Sequence, residues 1–180
     1  MHVRLLAPAD AQAYCELRLR MLRAHPDAFT SSFDEEAAKP LSWAEERLAA
    51  RERAPAKFVL GAFSASGQLL GSVGIAVEEK LKQRHKALLF GMFTTPEERN
   101  KGIGRTLLDA CLARAAAIAD LEQINLTVTE GNAAERLYAS VGFQRFGVEP
   151  RAIKCDGRYY GKVHMALYLE QWSRRDARAG

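Results

Sequence analysis

Apolar and polar positions in the first third of the chain predict one short strand followed by amphipathic helices. Residues alternate between polar and apolar over 2–6, which is typical of a strand. A helical stretch opens at Pro8 and stops at Pro26. Its apolar positions recur at helical spacing, at Tyr14, Leu17, Met21 and Leu22. This segment is therefore predicted to be a helix with one buried side.

The next segment is more weakly patterned. Residues 27–40 read as a helical turn or a loop. Ser42 and Glu45 have the spacing of a capping box, which predicts a second helix that continues to about residue 53.

The middle and the end of the chain combine strand patterns with two further helical patterns. Strands are predicted over 57–63, 69–77 and 85–94, and their short connections favour an antiparallel meander. Helices are then predicted over 102–119 and 132–141, with strands over 123–128, 143–148 and 161–169. Because strands alternate with helices in this half, some strands must pair in parallel. The expected class is α/β or α+β with a mixed sheet.

Composition supports one ordinary folded domain. The chain has 180 residues, of which 48% are hydrophobic and 27% charged, which is unlike a disordered or a membrane-spanning chain. We assign 1–172 to one domain and 173–180 to a short basic tail. The net charge of +4 favours anionic partners only weakly. The basic residues are dispersed and not interleaved with aromatic ones, so we expect neither nucleic acid nor a membrane as a partner.

The three cysteines do not form a metal or disulfide pattern. Cys15, Cys111 and Cys155 are odd in number and widely spaced, and none is part of a C-x-x-C pair. No leader-like apolar segment is apparent near Met1. We therefore expect reduced thiols, no bound metal and a cytoplasmic location.

A glycine-rich junction between a strand and a helix carries the first sign of function. Residues 99–105 read Arg-Asn-Lys-Gly-Ile-Gly-Arg directly before the helix. Glycines allow close approach of a ligand, and the free N–H groups at a helix N-terminus attract anions. A dinucleotide fingerprint would require a third glycine where Leu107 stands, and a P-loop would require Gly-Lys-Ser/Thr. The junction therefore predicts a phosphate or pyrophosphate site, with a simple tight connection as the alternative.

A second motif lies thirty residues further on. A strand is followed by Asn132, Ala134 and then Leu137-Tyr138, and the helix ends at Gly142-Phe143. Taken together and in this order, the two motifs resemble the GCN5-related N-acetyltransferase (GNAT) family over about residues 85–145, and the flanking pattern is compatible over nearly the whole chain. The resemblance implies a mixed, mostly antiparallel central sheet with helices on both faces.

The resemblance also implies an activity: direct transfer of acetyl from acetyl-CoA to a primary amine of a small molecule or a protein, within a ternary complex. A non-catalytic acyl-CoA sensor or assembly module on the same fold is the alternative. Relatives often dimerise, so a homodimer is a further expectation. The motifs do not identify the acceptor.

Each site residue follows from its match to a family motif. The resemblance implies that the pyrophosphate loop consists of Arg99, Asn100, Lys101, Gly102, Ile103, Gly104 and Arg105. It implies that the cofactor arm runs along Met92, Phe93 and Thr94 and near Asn132, for which a helix-capping role is the alternative. Tyr138 is implied as the catalytic residue, which protonates or hydrogen-bonds the departing thiolate, with core packing as the alternative.

The acceptor side is less clearly marked. Phe29, Phe33, Glu36 and Tyr160 are the predicted substrate contacts, and core packing is the alternative for the two phenylalanines. An amine with a pKa of about 10.4 is neutral in about one molecule in 2,500 at pH 7, so a proton acceptor is expected. Glu35, Glu36, Glu130 and His85 are candidates, and none is assigned.

Overall fold

The computed structural model describes residues 1–49, 56–98 and 101–173. A seven-stranded sheet has the order β1-β2-β3-β4-β5-β7-β6. The strands are β1 (His2–Leu5), β2 (Lys57–Phe63), β3 (Leu69–Val77), β4 (Lys86–Thr94), β5 (Gln123–Thr129), β6 (Gln144–Cys155) and β7 (Arg158–Tyr168). Within the described chain β4 and β5 pair in parallel and the other neighbours are antiparallel. The predicted mixed, mostly antiparallel sheet is confirmed.

Helices cover both faces of this sheet. They are α1 (Ala11–Ala24), α2 (Phe33–Ala37), α3 (Leu41–Ala49), α4 (Ile103–Ala116) and α5 (Ala134–Val141). Side chains of β2 point alternately to the two faces of the sheet, and each face packs against its own layer of helices to form a hydrophobic core. Phe58 and Leu60 join a cluster with α4 and α5, whereas Val59 and Phe63 join a cluster with α1 and α3. The sheet is thus buried on both sides in the middle of the molecule.

The start of α3 differs from the sequence-based prediction. α3 begins at Leu41, where the N–H of Trp43 donates to the carbonyl of Pro40. Ser42 therefore lies inside the first turn and is not the cap, so that prediction was wrong. A capping box is instead found one helix earlier: the Ser32 hydroxyl accepts from the N–H of Glu35, and the Glu35 carboxylate accepts from the N–H of Ser32. The predicted end of α3 near residue 53 lies outside the described residues.

The last two strands are longer than the sequence pattern suggested. They form a hairpin through the two-residue turn Asp156-Gly157, in which both residues have positive φ. Such a turn matches the right-handed twist of the flanking strands. β6 is mostly exposed, which is why its hydrophobic alternation was weak.

The feature that positions the site is a gap in the sheet. β4 pairs with β5 only from Lys86 to Leu88. Further along, β4 carries a bulge at Gly91, whose φ is +59°. Because β4 and β5 separate beyond this point, the sheet opens between its two layers of helices.

Candidate active site

A cavity of about 630 Å³ occupies the gap between β4 and β5. Its wall includes Met21, His25 and Phe29 from the α1 side of the sheet. From the other side it includes the start of α4 and residues Leu137 and Tyr138 of α5. The cavity is therefore accessible to groups from both faces, which suits a reaction between two ligands.

One end of the cavity is formed by the N-terminus of α4. Gly102 precedes the helix with φ at +80°, in the left-handed region that favours glycine. The first intrahelical bond runs from the N–H of Thr106 to the carbonyl of Gly102. The N–H groups of Ile103, Gly104 and Arg105 therefore have no acceptor inside the helix and are available to an anion.

Side-chain charge at this end is largely paired. Lys101 donates to Glu98 at 3.1 Å, and Arg105 donates to Asp109 at 2.7 Å. Both basic side chains are more than half exposed, so each pair is weak and can rearrange around a ligand. The hydroxyl of Thr95, just before this loop, is buried and has no hydrogen-bond partner among the described residues.

The exposed edge of β4 lines the length of the cavity. Leu89 to Thr94 contribute to its wall while having no strand partner on the β5 side in the described structure. Ser72 donates to the carbonyl of Gly91 at 3.1 Å and fixes the bulge. Unpaired backbone groups on a strand edge can hydrogen-bond to an extended, amide-containing ligand.

Tyr138 lies deep in the same cavity. Its side chain is 6% exposed and packs edge to face on Phe143, with ring centroids 5.8 Å apart. Among the described residues none hydrogen-bonds to its hydroxyl. Burial raises the pKa of Tyr138 above its ordinary value of 10, so the phenol is protonated at neutral pH. It is therefore a hydrogen-bond donor available to a ligand.

Most of the residues predicted from sequence meet at this cavity. The lining residues among them are Phe29, Met92, Phe93, Thr94, Gly102, Ile103, Gly104, Arg105, Asn132 and Tyr138. Phe29 packs edge to face on Phe93, with centroids 6.3 Å apart. The side chain of Asn132 accepts from the N–H of Ala134 at 2.9 Å, so it also stabilises the start of α5. Arg99 and Asn100 lie outside the described residues.

Four predicted residues lie elsewhere. Lys101 is on the outer rim, and Phe33 lies in a separate groove beneath the guanidinium of Arg23. Tyr160 sits in the β6–β7 hairpin opposite Ile153. Glu36 is buried in an ion pair with Arg18, at 2.9 Å, and also binds Lys39.

Sequence reasoning missed two titratable residues of the cavity, Glu98 at the helix-start end and His25 on the opposite side of the sheet.

His25 is the one with a readable sequence signal. It follows Tyr14 and Met21 at helical spacing on the side of α1 that faces the sheet. The sequence signal that could have identified His25 is its position: it is a polar residue that continues the apolar side of α1 and stands directly before Pro26. The candidate bases chosen from sequence, including His85 and Glu130, are not among the cavity-lining residues.

The described residues hold no group of three or more His, Cys, Asp or Glu side chains arranged for a metal ion. Among those same residues, no helix has the length and apolar character needed to cross a membrane.

Comparison with known proteins agrees with this architecture. The family model described as "Acetyltransferase (GNAT) family" matches residues 19–143. Mycothiol acetyltransferase of Thermobispora bispora is 32% identical over 145 residues, which cover 78% of this chain and 45% of that protein. The chain thus matches less than half the length of this curated relative.

Two solved structures share the fold. The acetyltransferase of GNAT family from Streptococcus pneumoniae superposes with a TM-score of 0.80 at 25% identity, covering 93% of this chain and 98% of that one. A GNAT superfamily phosphinothricin acetyltransferase from Sinorhizobium meliloti, in complex with AcCoA, gives a TM-score of 0.79 at 18% identity and covers 93% and 88% of the two chains.

Proposed function

The chain belongs to the GNAT family of acetyltransferases, and we propose that it transfers an acetyl group from acetyl-CoA directly to a primary amine. The observation that carries this proposal is the cavity where β4 separates from β5, with an anion-binding helix start at one end and a buried tyrosine hydroxyl inside. The two ligands would meet there from opposite faces of the sheet.

The residues at the cavity fit coenzyme A. The N–H groups of Ile103, Gly104 and Arg105 would bind its pyrophosphate, with Lys101 and Arg105 adding positive charge at the rim. The unpaired edge of β4 from Leu89 to Thr94 would hydrogen-bond to its amide-containing arm. When bound, the cosubstrate supplies an acetyl thioester whose carbonyl carbon accepts the amine.

Tyr138 would act on the departing sulfur. An ordinary thiol has a pKa of about 8.5, which lies below the raised pKa of this phenol. Complete proton transfer from Tyr138 to a thiolate is therefore uphill, and its main contribution is a hydrogen bond to the developing negative charge. A charge-assisted hydrogen bond of this kind contributes about 1.5–3 kcal/mol.

The other face of the cavity would receive the acceptor. Phe29 covers this side, and the turn that carries it is tied to the end of β5, because the Thr129 hydroxyl donates to the carbonyl of Asp27 at 2.8 Å. Lys162, which lies opposite Thr129 in β7, also donates to the Thr30 hydroxyl. These tethers hold the acceptor side in a defined shape. Phe33, Glu36 and Tyr160 could affect the acceptor only indirectly, through the packing around this wall.

The proposal is tested by supplying acetyl-CoA together with a panel of amines. We would use spermidine, free amino acids, phosphinothricin and peptides that begin with alanine or contain lysine, following thiol release and identifying the acetylated product by mass spectrometry. Amine-dependent thiol release with an N-acetylated product is the expected result. Tight binding of acetyl-CoA without transfer to any of these amines would contradict the proposal and favour an acyl-CoA sensor.

A further inference from the structure

We propose that His25 is the general base of the transfer, accepting a proton from the acceptor amine inside the cavity. This inference rests on the proposed function and assigns the proton acceptor that the reaction needs. At pH 7 only about one ammonium group in 2,500 has lost its proton in water, so the bound amine needs a nearby group that accepts its proton as the reaction proceeds.

The cavity offers few groups that could take this proton. Its titratable lining residues among those described are His25, Glu98, Arg105 and Tyr138. An arginine stays protonated, and burial of Tyr138 keeps its phenol protonated as well. Glu98 lies at the helix-start end and pairs with Lys101 at 3.1 Å. His25 is on the opposite side of the sheet, where the acceptor would enter.

The carboxylates suggested by sequence alone are committed to other contacts. Glu36 is fixed between Arg18 and Lys39, and Glu35 caps α2 through Ser32. Glu130 pairs with Arg145 at 3.1 Å. His85 lies just before β4, at the end of the strand that is still paired with β5. None of these four lines the cavity.

The backbone that carries His25 is held in a defined position. Its N–H donates to the carbonyl of Met21 at 3.0 Å at the end of α1, and Pro26 follows directly. The same turn is held by the bond from Thr129 to Asp27 and by the contact of Phe29 with Phe93. A base must be held in place to act within hydrogen-bond reach of its substrate.

Charged and titratable groups around this position come from several elements. Arg23 lies on α1 and Asp27 on the following turn, while Glu98, Arg105 and Tyr138 face the cavity from the far side. On β6, burial and the neighbouring Asp156 raise the pKa of the Cys155 thiol, and the negative charge of Asp27 adds to this effect. β4 and β5 present no titratable side chain over Leu89–Thr94 or Leu126–Val128, where they line the cavity. Imidazole is the side chain whose charge ordinarily changes between pH 5 and 8, which suits a base at neutral pH.

The proton balance of the step is complete. The bound ammonium gives one proton to His25, and the neutral nitrogen then attacks the carbonyl carbon. A C–N bond forms, the C–S bond breaks, and its electron pair remains on sulfur, which accepts a hydrogen bond from Tyr138. The nitrogen loses two protons in total: one ends on the coenzyme thiol, and the other passes from His25 to solvent.

The test compares His25→Gln with wild type and with His85→Gln, a matched histidine variant away from the cavity. The acceptor is the panel amine that wild type acetylates with the highest kcat/KM. For wild type and His85→Gln, we expect kcat/KM to rise between pH 5 and 8 and then level off. For His25→Gln, we expect it to be about 10²–10⁴-fold lower at pH 7 and to keep rising to pH 9.5, because only free amine can react. The dissociation constant of acetyl-CoA should be unchanged.

A second variant separates catalysis from structure. Imidazole in the buffer should restore part of the activity of His25→Ala and none of the activity of a variant that is merely misfolded. If His25→Gln keeps the wild-type pH profile, or if its activity falls by the same factor at every pH without imidazole rescue of His25→Ala, the assignment is overturned. Absence of transfer by wild type itself would instead overturn the proposed function, and this inference with it.

Discussion

Replacement of Glu36 by glutamine tests whether this residue anchors the structure or contacts substrate. Its carboxylate is 4% exposed and accepts from the Nε and a terminal nitrogen of Arg18, at 2.9 and 3.0 Å, and from Lys39 at 2.8 Å. Burial alone would raise the pKa of Glu36. The hydrogen bonds and positive charges of Arg18 and Lys39 outweigh burial and lower this pKa to about 2.

The size of the effect follows from linkage between protonation and folding. The difference between an ordinary pKa of 4.5 and about 2 corresponds to at most about 3.4 kcal/mol of stability for the ionised form. Lys39 is about one-third exposed, so solvent screens its share and we expect roughly 2–3 kcal/mol. Glu36→Gln also leaves Arg18 buried without its counter-charge, but this is the same lost interaction and is not added to the figure.

The assay is chemical denaturation of wild type, Glu36→Gln and Glu46→Gln, a substitution of an exposed glutamate on α3. At pH 7 we expect Glu36→Gln to lower the free energy of unfolding by roughly 2–3 kcal/mol and its Tm by about 4–12 °C, since 1 kcal/mol corresponds to about 2–4 °C at this size. Glu46→Gln should stay within about 0.5 kcal/mol of wild type.

The change of the stability difference with pH decides whether the Glu36 carboxylate is the stabilising group. Because the folded-state pKa is depressed, the stabilisation is present above pH 4.5 and is lost as pH falls towards 2. About 40% of it should be gone at pH 3.5, so the gap between wild type and Glu36→Gln should narrow there. A gap below 1 kcal/mol at pH 7, or one that stays constant down to pH 3.5, would refute the anchoring role.

Three further outcomes test the site. Tyr138→Phe should lower kcat about 10–100-fold and leave acetyl-CoA affinity unchanged. The control Tyr159→Phe, at an exposed tyrosine, should change neither kcat nor affinity. If Tyr138→Phe and wild type turn over equally fast, Tyr138 has no role at sulfur. Gly102→Ala and Gly67→Ala each force an alanine to a φ near +80°, which lowers the stability of the fold by about 1–2 kcal/mol. Only Gly102→Ala should weaken acetyl-CoA binding in calorimetry. Equal weakening by both variants would contradict the anion site. Burial raises the pKa of Cys111 to about 12, so a thiol reagent should label Cys15 and Cys155 before Cys111, as followed by mass spectrometry. Early labelling of Cys111 would show that α4 opens.

The sequence identified those parts of the fold whose signals are local. The meander β2–β4 and helix α4 were readable because their hydrophobic periods are strong and their ends carry glycine or polar turns. The β6–β7 hairpin was predicted too short, since its outer strand is exposed and lacks alternation. Its Asp156-Gly157 turn was a usable signal. The Ser42 cap failed because the helix begins at Leu41, two residues before the start that a Ser42 cap predicts, with the carbonyl of Pro40 accepting from the N–H of Trp43.

By itself the sequence determined the family and predicted two parts of the candidate site: the glycine-rich helix start for an anion, and Tyr138 as a hydrogen-bond donor. Both are short motifs of residues close together in sequence, so they can be recognised without knowing which distant parts of the chain contact them. Only the tertiary structure decided which side chains share the cavity. At the separation of β4 from β5, His25, which follows α1, lines the same cavity as Tyr138 of α5, while Arg18 and Lys39 hold Glu36 outside it. These are contacts between residues far apart in sequence, and packing of helices on the two faces of the sheet creates them.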